Sequence, residues 1–144
     1  MIYVLYGQPA SGKTTLGNLL ATHLQTPFII DGDDFRAMFK NDNYGRAGRE
    51  ENIKNANAVA TYLTQADWEC PPVVMSLINP YLHLRDELKK NNPNQVVDIF
   101  LSSRRQLRKE YHVEDFEKGK PDCIVDTDRN VEDSWNYLKS LIRV

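Results

Sequence analysis

A chain of 144 residues with 41% hydrophobic and 26% charged side chains has ordinary globular composition. That excludes a disordered or fibrous protein and leaves enough length to bury a core without disulfide or metal staples. Its 18 basic and 20 acidic side chains leave a net charge of −2, which argues against general nucleic-acid or anionic-membrane binding through bulk charge but leaves room for a local anion site.

Strand-like and helix-like runs alternate along the chain. They predict one α/β domain over residues 1–144, a three-layer fold with a central, largely parallel sheet of about five strands flanked by helices. Ile2 to Tyr6 reads as the first strand. A helix follows with Leu16, Leu19, Leu20 and Leu24 on one stripe. Phe28 to Ile30 is the second strand and runs into Asp31-Gly32-Asp33-Asp34. The polar stretch from Lys40 to Gly48 predicts a loop. From Arg49 to Leu63, Ile53, Ala56, Val59, Ala60 and Leu63 fall in helical phase. Val73 to Met75, Val96 to Leu101 and Cys123 to Val125 are the remaining strands. Val131, Trp135, Leu138 and Ile142 predict one buried face of a final helix.

No apolar run reaches the roughly 18 residues that span a bilayer. Met1 opens straight into a strand without signal-peptide features, so a cytoplasmic protein is expected. Cys70 and Cys123 are far apart, fit no metal or redox motif, and are expected as buried thiols. His23, His83 and His112 lack metal spacing and are expected at the surface.

Gly7-Gln8-Pro9-Ala10-Ser11-Gly12-Lys13-Thr14 fits G-x-x-x-x-G-K-[ST] between an apolar strand and an amphipathic helix, the context this phosphate-loop (Walker A) motif requires. Its glycines let successive backbone N–H groups face one cavity, and the helix adds its positive dipole end. Gly7, Ala10, Ser11, Gly12, Lys13, Thr14 and Thr15 are therefore the expected ATP-binding residues. Lys13 is expected at the β- and γ-phosphates, and the Thr14 hydroxyl on Mg²⁺. In a parallel sheet ligands bind at the carboxyl ends of the strands, which puts Asp31 and Asp33 beside this loop. One carboxylate suits Mg²⁺, for which Asp31 is the candidate, and Asp33 suits the acceptor's hydroxyl proton. The competing reading makes Asp33 or Asp34 a helix cap. Arg36, one turn on, suits an anionic group of the acceptor.

From here the residues resemble the adenylylsulfate (APS) kinase family. Asp31-Gly32-Asp33-Asp34-Phe35-Arg36 resembles its D-G-D-N-x-R. Arg49-Glu50-Glu51-Asn52-Ile53 is similar to R-x-E-N-I, and Ser76-Leu77-Ile78-Asn79-Pro80-Tyr81 to S-x-I-S-P-Y. Arg85 lies near that motif's following arginine, and Pro121 to Thr127 resembles P-D-x-x-I-D-T. The resemblance implies transfer of the γ-phosphate of ATP to the 3′-hydroxyl of APS, giving PAPS in sulfate assimilation. It implies that Lys13 and Asp33 are catalytic. It further implies that Arg36, Tyr44, Arg49, Asn52, Ile78 and Tyr111 join Asp33 in binding the acceptor, with Tyr44 stacking on its adenine. ATP and Mg²⁺ are the implied cofactors, the partners are small molecules, and a homodimer is left open.

Three departures stand out. The family's R-D-x-K-G-L-Y and basic lid are absent, and only Ser102 to Tyr111 occupies that place. Arg104, Arg105 and Arg108 are the alternatives for its nucleotide-site cation, with Arg108 the ATP-binding choice, and Tyr111 stands for a lid aromatic. Asn79 replaces the serine of S-P-Y, and the loop before Arg49 is one residue shorter. A kinase of the same build acting on a nucleoside, sugar or modified base is the second reading, and a non-catalytic nucleotide-binding module the third.

Overall fold

The computed structural model describes residues 1–66, 69–105 and 111–142. Its elements in chain order are β1 (Ile2–Tyr6), α1 (Lys13–His23), β2 (Ile29–Asp31), α2 (Gly32–Met38), α3 (Arg46–Ala66), β3 (Val73–Leu77), α4 (Leu82–Asn91), β4 (Val96–Ser102), β5 (Cys123–Asp126) and α5 (Val131–Ile142). The five strands form one sheet in the order β2-β3-β1-β4-β5. Every pairing is parallel, and the register aligns Val4 with Met75 on one side and with Asp98 on the other. The expected parallel α/β architecture is therefore present.

β1 is buried along its whole length, which is why it reads as a continuous apolar run instead of an alternating one. Its side chains divide between two cores by the two-residue strand period. Ile2, Val4 and Tyr6 pack with Ile53 and Ala56 of α3 and Leu84 and Leu88 of α4. Tyr3 and Leu5 pack with Leu16 and Leu20 of α1 and Leu138 of α5. Helices thus cover both faces. Among the described residues no helix is long and apolar enough to cross a membrane.

Several boundaries differ from the sequence expectation. α3 begins at Arg46, inside the stretch read as loop, because Asn41 Nδ2 donates to Gly48 O at 2.8 Å and secures the first turn. α4 was not predicted; half of its ten residues are charged, and Leu84 and Leu88 alone carry its buried apolar face. In α5, Val131 is exposed instead of buried, since the helix starts at the rim of a cleft that this side chain lines. Both cysteines are free and half-buried, not fully buried. Cys123 sits at the start of edge strand β5, where partial burial still pushes its thiol pKa up. All three histidines are exposed, as expected.

Candidate active site

The carboxyl ends of the strands open into a cleft of about 860 Å³, at the upper end of the range for small-molecule sites. β1 sits at the centre of the sheet, so the loop that follows it lies at the centre of the cleft. That loop turns at Ala10 (φ +61°) and Gly12 (φ +96°) before α1 begins at Lys13. Gly7 is required by close approach, because a Cβ there would stand 2.7 Å from the Leu101 carbonyl oxygen. Lys13 Nζ lies back over the loop, donating to Gln8 O at 2.7 Å and Ser11 Oγ at 3.3 Å.

The rest of the fold pins this loop. Thr127 Oγ1 donates to Ser11 O at 2.7 Å, and Ser76 Oγ donates to Lys13 O at 3.2 Å. Gln8 grips Val113 in both directions: Nε2 donates to Val113 O at 2.7 Å, and Val113 N donates to Gln8 Oε1 at 3.0 Å. Ala10, Gly12, Lys13, Thr14 and Thr15 line the cleft, while Gly7 and Ser11 are buried behind it.

The acidic segment resolves its two competing readings. Asp31, not Asp33 or Asp34, is the N-cap of α2: its Oδ1 accepts from Asp33 N at 2.9 Å and Asp34 N at 3.3 Å. Sequence reasoning placed the cap two or three residues late because the helix begins at Gly32. The other oxygen, Oδ2, accepts from Thr14 Oγ1 at 3.0 Å. A hydroxyl and a carboxylate oxygen meeting beside a phosphate loop are hard donors of the kind Mg²⁺ takes together with phosphate oxygens. Asp33 is left with its side chain exposed and lining the cleft.

Beyond Asp33 the cleft wall turns cationic and aromatic. Arg36 Nη1 donates to Asn41 O at 3.2 Å and Asn43 O at 3.0 Å, and its guanidinium lies 4.2 Å from the centre of the Tyr44 ring. Tyr44 faces Tyr111, with ring centroids 5.8 Å apart. Arg49 is half-buried in the cleft wall, and its guanidinium has no hydrogen-bond or ion-pair partner among the described residues. Asn52 is 6% exposed, not solvated as its helical position alone would predict. Its Nδ2 donates to Gly32 O at 3.3 Å, while its Oδ1 is buried without a partner among the described residues. Ile78 also lines the cleft.

On the opposite side of the phosphate loop the wall is built after β4 and β5. Arg105 lines it, with Nη2 donating to Thr127 O at 3.1 Å and Nε 3.7 Å from Asp128 Oδ1. Arg104 is exposed and does not line the cleft. Arg108, the ATP-binding choice, lies outside the described residues. Arg129, Asn130 and Ser134 line this half as well, and sequence reasoning missed them. The signal was available: they follow the last strand, at the same carboxyl edge as every other site residue.

A sequence profile of the adenylylsulphate kinase family matches residues 1–120. The chain belongs to that family. It is accordingly a P-loop kinase, and membership implies ATP as the phosphoryl donor. A search of curated proteins gave no match. Among solved structures, the Mycobacterium tuberculosis APS kinase CysC in complex with AMPPNP and APS superposes with a TM-score of 0.81 at 20% identity, covering 99% of this chain and 97% of that one. A gluconokinase from Sinorhizobium meliloti gives 0.68 at 18% identity, over 98% of this chain and 91% of that one. Shikimate kinase from Aquifex aeolicus gives 0.70 at 14% identity, over 99% and 96%. These likenesses establish the shared fold.

Proposed function

We propose that this adenylylsulphate kinase family member transfers the γ-phosphate of ATP to the 3′-hydroxyl of APS, with residues 1–144 acting as one domain. The observation that carries the reading is the release of Asp33 from capping. Asp31 takes the cap, and Asp33 faces the same cleft as Lys13.

The donor occupies the phosphate loop. Backbone N–H groups of the loop and the start of α1 hold its phosphates, and Lys13 swings from Gln8 and Ser11 to the γ-phosphoryl oxygens. Thr14 and Asp31 fit Mg²⁺, which when bound neutralises charge on the β- and γ-phosphates. Arg105 and the loop after β5 wall the nucleotide side.

The acceptor lies on the Asp33 side. Its adenine stacks at Tyr44 and Tyr111, and its phosphosulfate meets the unpaired guanidinium of Arg49, with Arg36 behind Tyr44. Asp33 accepts the proton of the attacking hydroxyl as its oxygen bonds to the γ-phosphorus and the bond to the ADP oxygen breaks. The test is phosphate transfer from labelled ATP to a panel of hydroxyl acceptors that includes APS. APS as the preferred acceptor supports the reading. Transfer to a sugar or nucleoside but not to APS replaces it with the second one.

A further inference from the structure

We propose that Asn79 is a specificity-determining residue that reads a hydroxyl adjacent to the one receiving phosphate, so that the acceptor carries a vicinal diol. The proposal rests on the reading that phosphate passes from the loop to an acceptor on the Asp33 side, and it holds for APS or for another diol.

Asn79 follows β3 by two residues, and β3 lies between β1, which carries the phosphate loop, and β2, which ends at Asp31. Its neighbour Ile78 accepts from Gly7 N, the first residue of that loop, at 3.3 Å. Asn79 therefore sits between donor and acceptor halves, and it lines the cleft. It is 1% exposed, yet neither Oδ1 nor Nδ2 has a partner among the described residues. A buried carboxamide with both ends unmatched carries a desolvation cost that a ligand group would remove.

The backbone does not let this side chain drift. Asn79 adopts φ +49°, a left-handed conformation that asparagine tolerates better than most residues. Its carbonyl accepts from buried Arg85 Nη1 at 2.6 Å. Arg85 Nη2 in turn donates to the carbonyls of Glu117 and Lys118, so the Asn79 turn is tied to the segment leading into β5.

The chemistry selects the ligand group. Phosphate and sulfate oxygens only accept, so they would satisfy Nδ2 and leave Oδ1 orphaned. A hydroxyl both donates and accepts, and matches both ends. The reacting hydroxyl is committed to Asp33, so Asn79 requires a second one beside it. The ribose of a nucleotide and the chain of a polyol both supply that pair.

The experiment compares wild type with Asn79→Gly, which suits φ +49° and removes the amide, and Asn79→Asp, which keeps the shape but loses both donors. Calorimetric binding of ADP verifies that each variant is folded. The acceptor probes are APS and its 2′-deoxy analogue, then gluconate and shikimate as other diols and homoserine as a single hydroxyl. Wild type should favour APS over the deoxy analogue by at least about tenfold in kcat/KM. Asn79→Gly should lower the APS value by about that factor and leave the deoxy value within about twofold, and Asn79→Asp should also lower the APS value. Undiminished discrimination in Asn79→Gly overturns the proposal. If wild type does not phosphorylate APS, the APS reading fails, and the comparison passes to gluconate or shikimate. There, a loss of about tenfold or more in Asn79→Gly supports the diol proposal, while transfer to homoserine alone, or to no diol, overturns it.

Discussion

Asp31 and Asp33 have the same side chain two positions apart, and the backbone between them decides their chemistry. Asp31 spends one oxygen on the α2 cap and turns the other to Thr14, while Asp33, inside the first turn, faces the cleft. Asp33→Asn should therefore keep ADP affinity and lose phosphoryl transfer, because an amide of the same size cannot take a proton. Nucleotide titration beside a transfer assay checks it; transfer at the wild-type rate would place the base elsewhere. Lys13→Ala should cost about a hundredfold or more in kcat, the scale of one electrostatic contact at the reacting centre. Arg49 offers a cation on the Asp33 side of the cleft with no hydrogen-bond or ion-pair partner among the described residues. A charged hydrogen bond of this kind is worth about 1.5–3 kcal/mol, so Arg49→Ala should lower kcat/KM for APS by roughly one to two decades. ATP titration of the same variant should show little change, and an equal loss for ATP would move Arg49 to the nucleotide side. Sequence alone singled out Lys13 and Asp33 through motif and chemistry, and Arg49 through the family resemblance. It did not expose Asn52 as buried, because burial of a polar helical residue depends on the Gly32 carbonyl packed against it.

At the scale of elements, the strands were legible because parallel strands buried on both faces are short apolar runs bounded by turns. The β1, phosphate loop and α1 unit was legible for the same reason, with the motif fixing its register. The start of α3 and the whole of α4 were not, since tertiary packing overrides their polar composition. The α2 cap was also misplaced, and it yields a prediction that separates two jobs of one residue. Asp31→Ala should destabilise the fold by about 1 kcal/mol, the usual value of a lost N-cap, and weaken Mg²⁺-dependent ATP binding. Asp31→Asn retains a good cap and loses the charge. Its melting temperature should stay near wild type while its Mg²⁺-dependent ATP affinity falls. Equal melting losses in both variants would show that the carboxylate charge, not the cap, stabilises this turn.

Across the whole molecule, the cleft depends on contacts between segments distant in sequence, which no motif announces. Gln8 with Val113, Tyr44 with Tyr111, and Arg46 Nη1 with Asp115 Oδ2 at 3.1 Å fasten residues 111–115 to the phosphate loop, to Tyr44 and to the start of α3. A second long-range device sits away from the cleft. Asp98 N donates to Asp122 Oδ2 at 3.0 Å, Asp122 N donates to Asp98 Oδ1 at 2.7 Å, and Lys89 lies 3.1 and 3.3 Å from the two carboxylates. This joins α4, β4 and the entry to β5. Burial pulls the Lys89 pKa down, but Asp98 and Asp122 outweigh it and hold the ammonium above its usual 10.5. Burial pushes the Asp98 carboxyl up, since taking its charge out of water is unfavourable. A group with a raised folded pKa contributes stability that is fully present below its unfolded value and lost as pH rises through the folded one. While Asp98 and Asp122 stay ionised, the Lys89 contribution is thus complete below about pH 10.5 and fades above it. Lys89→Met leaves two carboxylates close together without a cation. Breaking a buried pair costs about 3–5 kcal/mol. Lys89 keeps 34% of its side-chain surface in solvent, so we expect a discounted loss of about 1–3 kcal/mol at pH 7. Acid relieves the variant by protonating Asp98, so its deficit in melting temperature should shrink from pH 7 toward pH 4. It should also shrink above pH 10.5, where wild type loses the ammonium. A deficit constant across that range in thermal melts would show that Lys89 acts by packing its methylenes and not by charge.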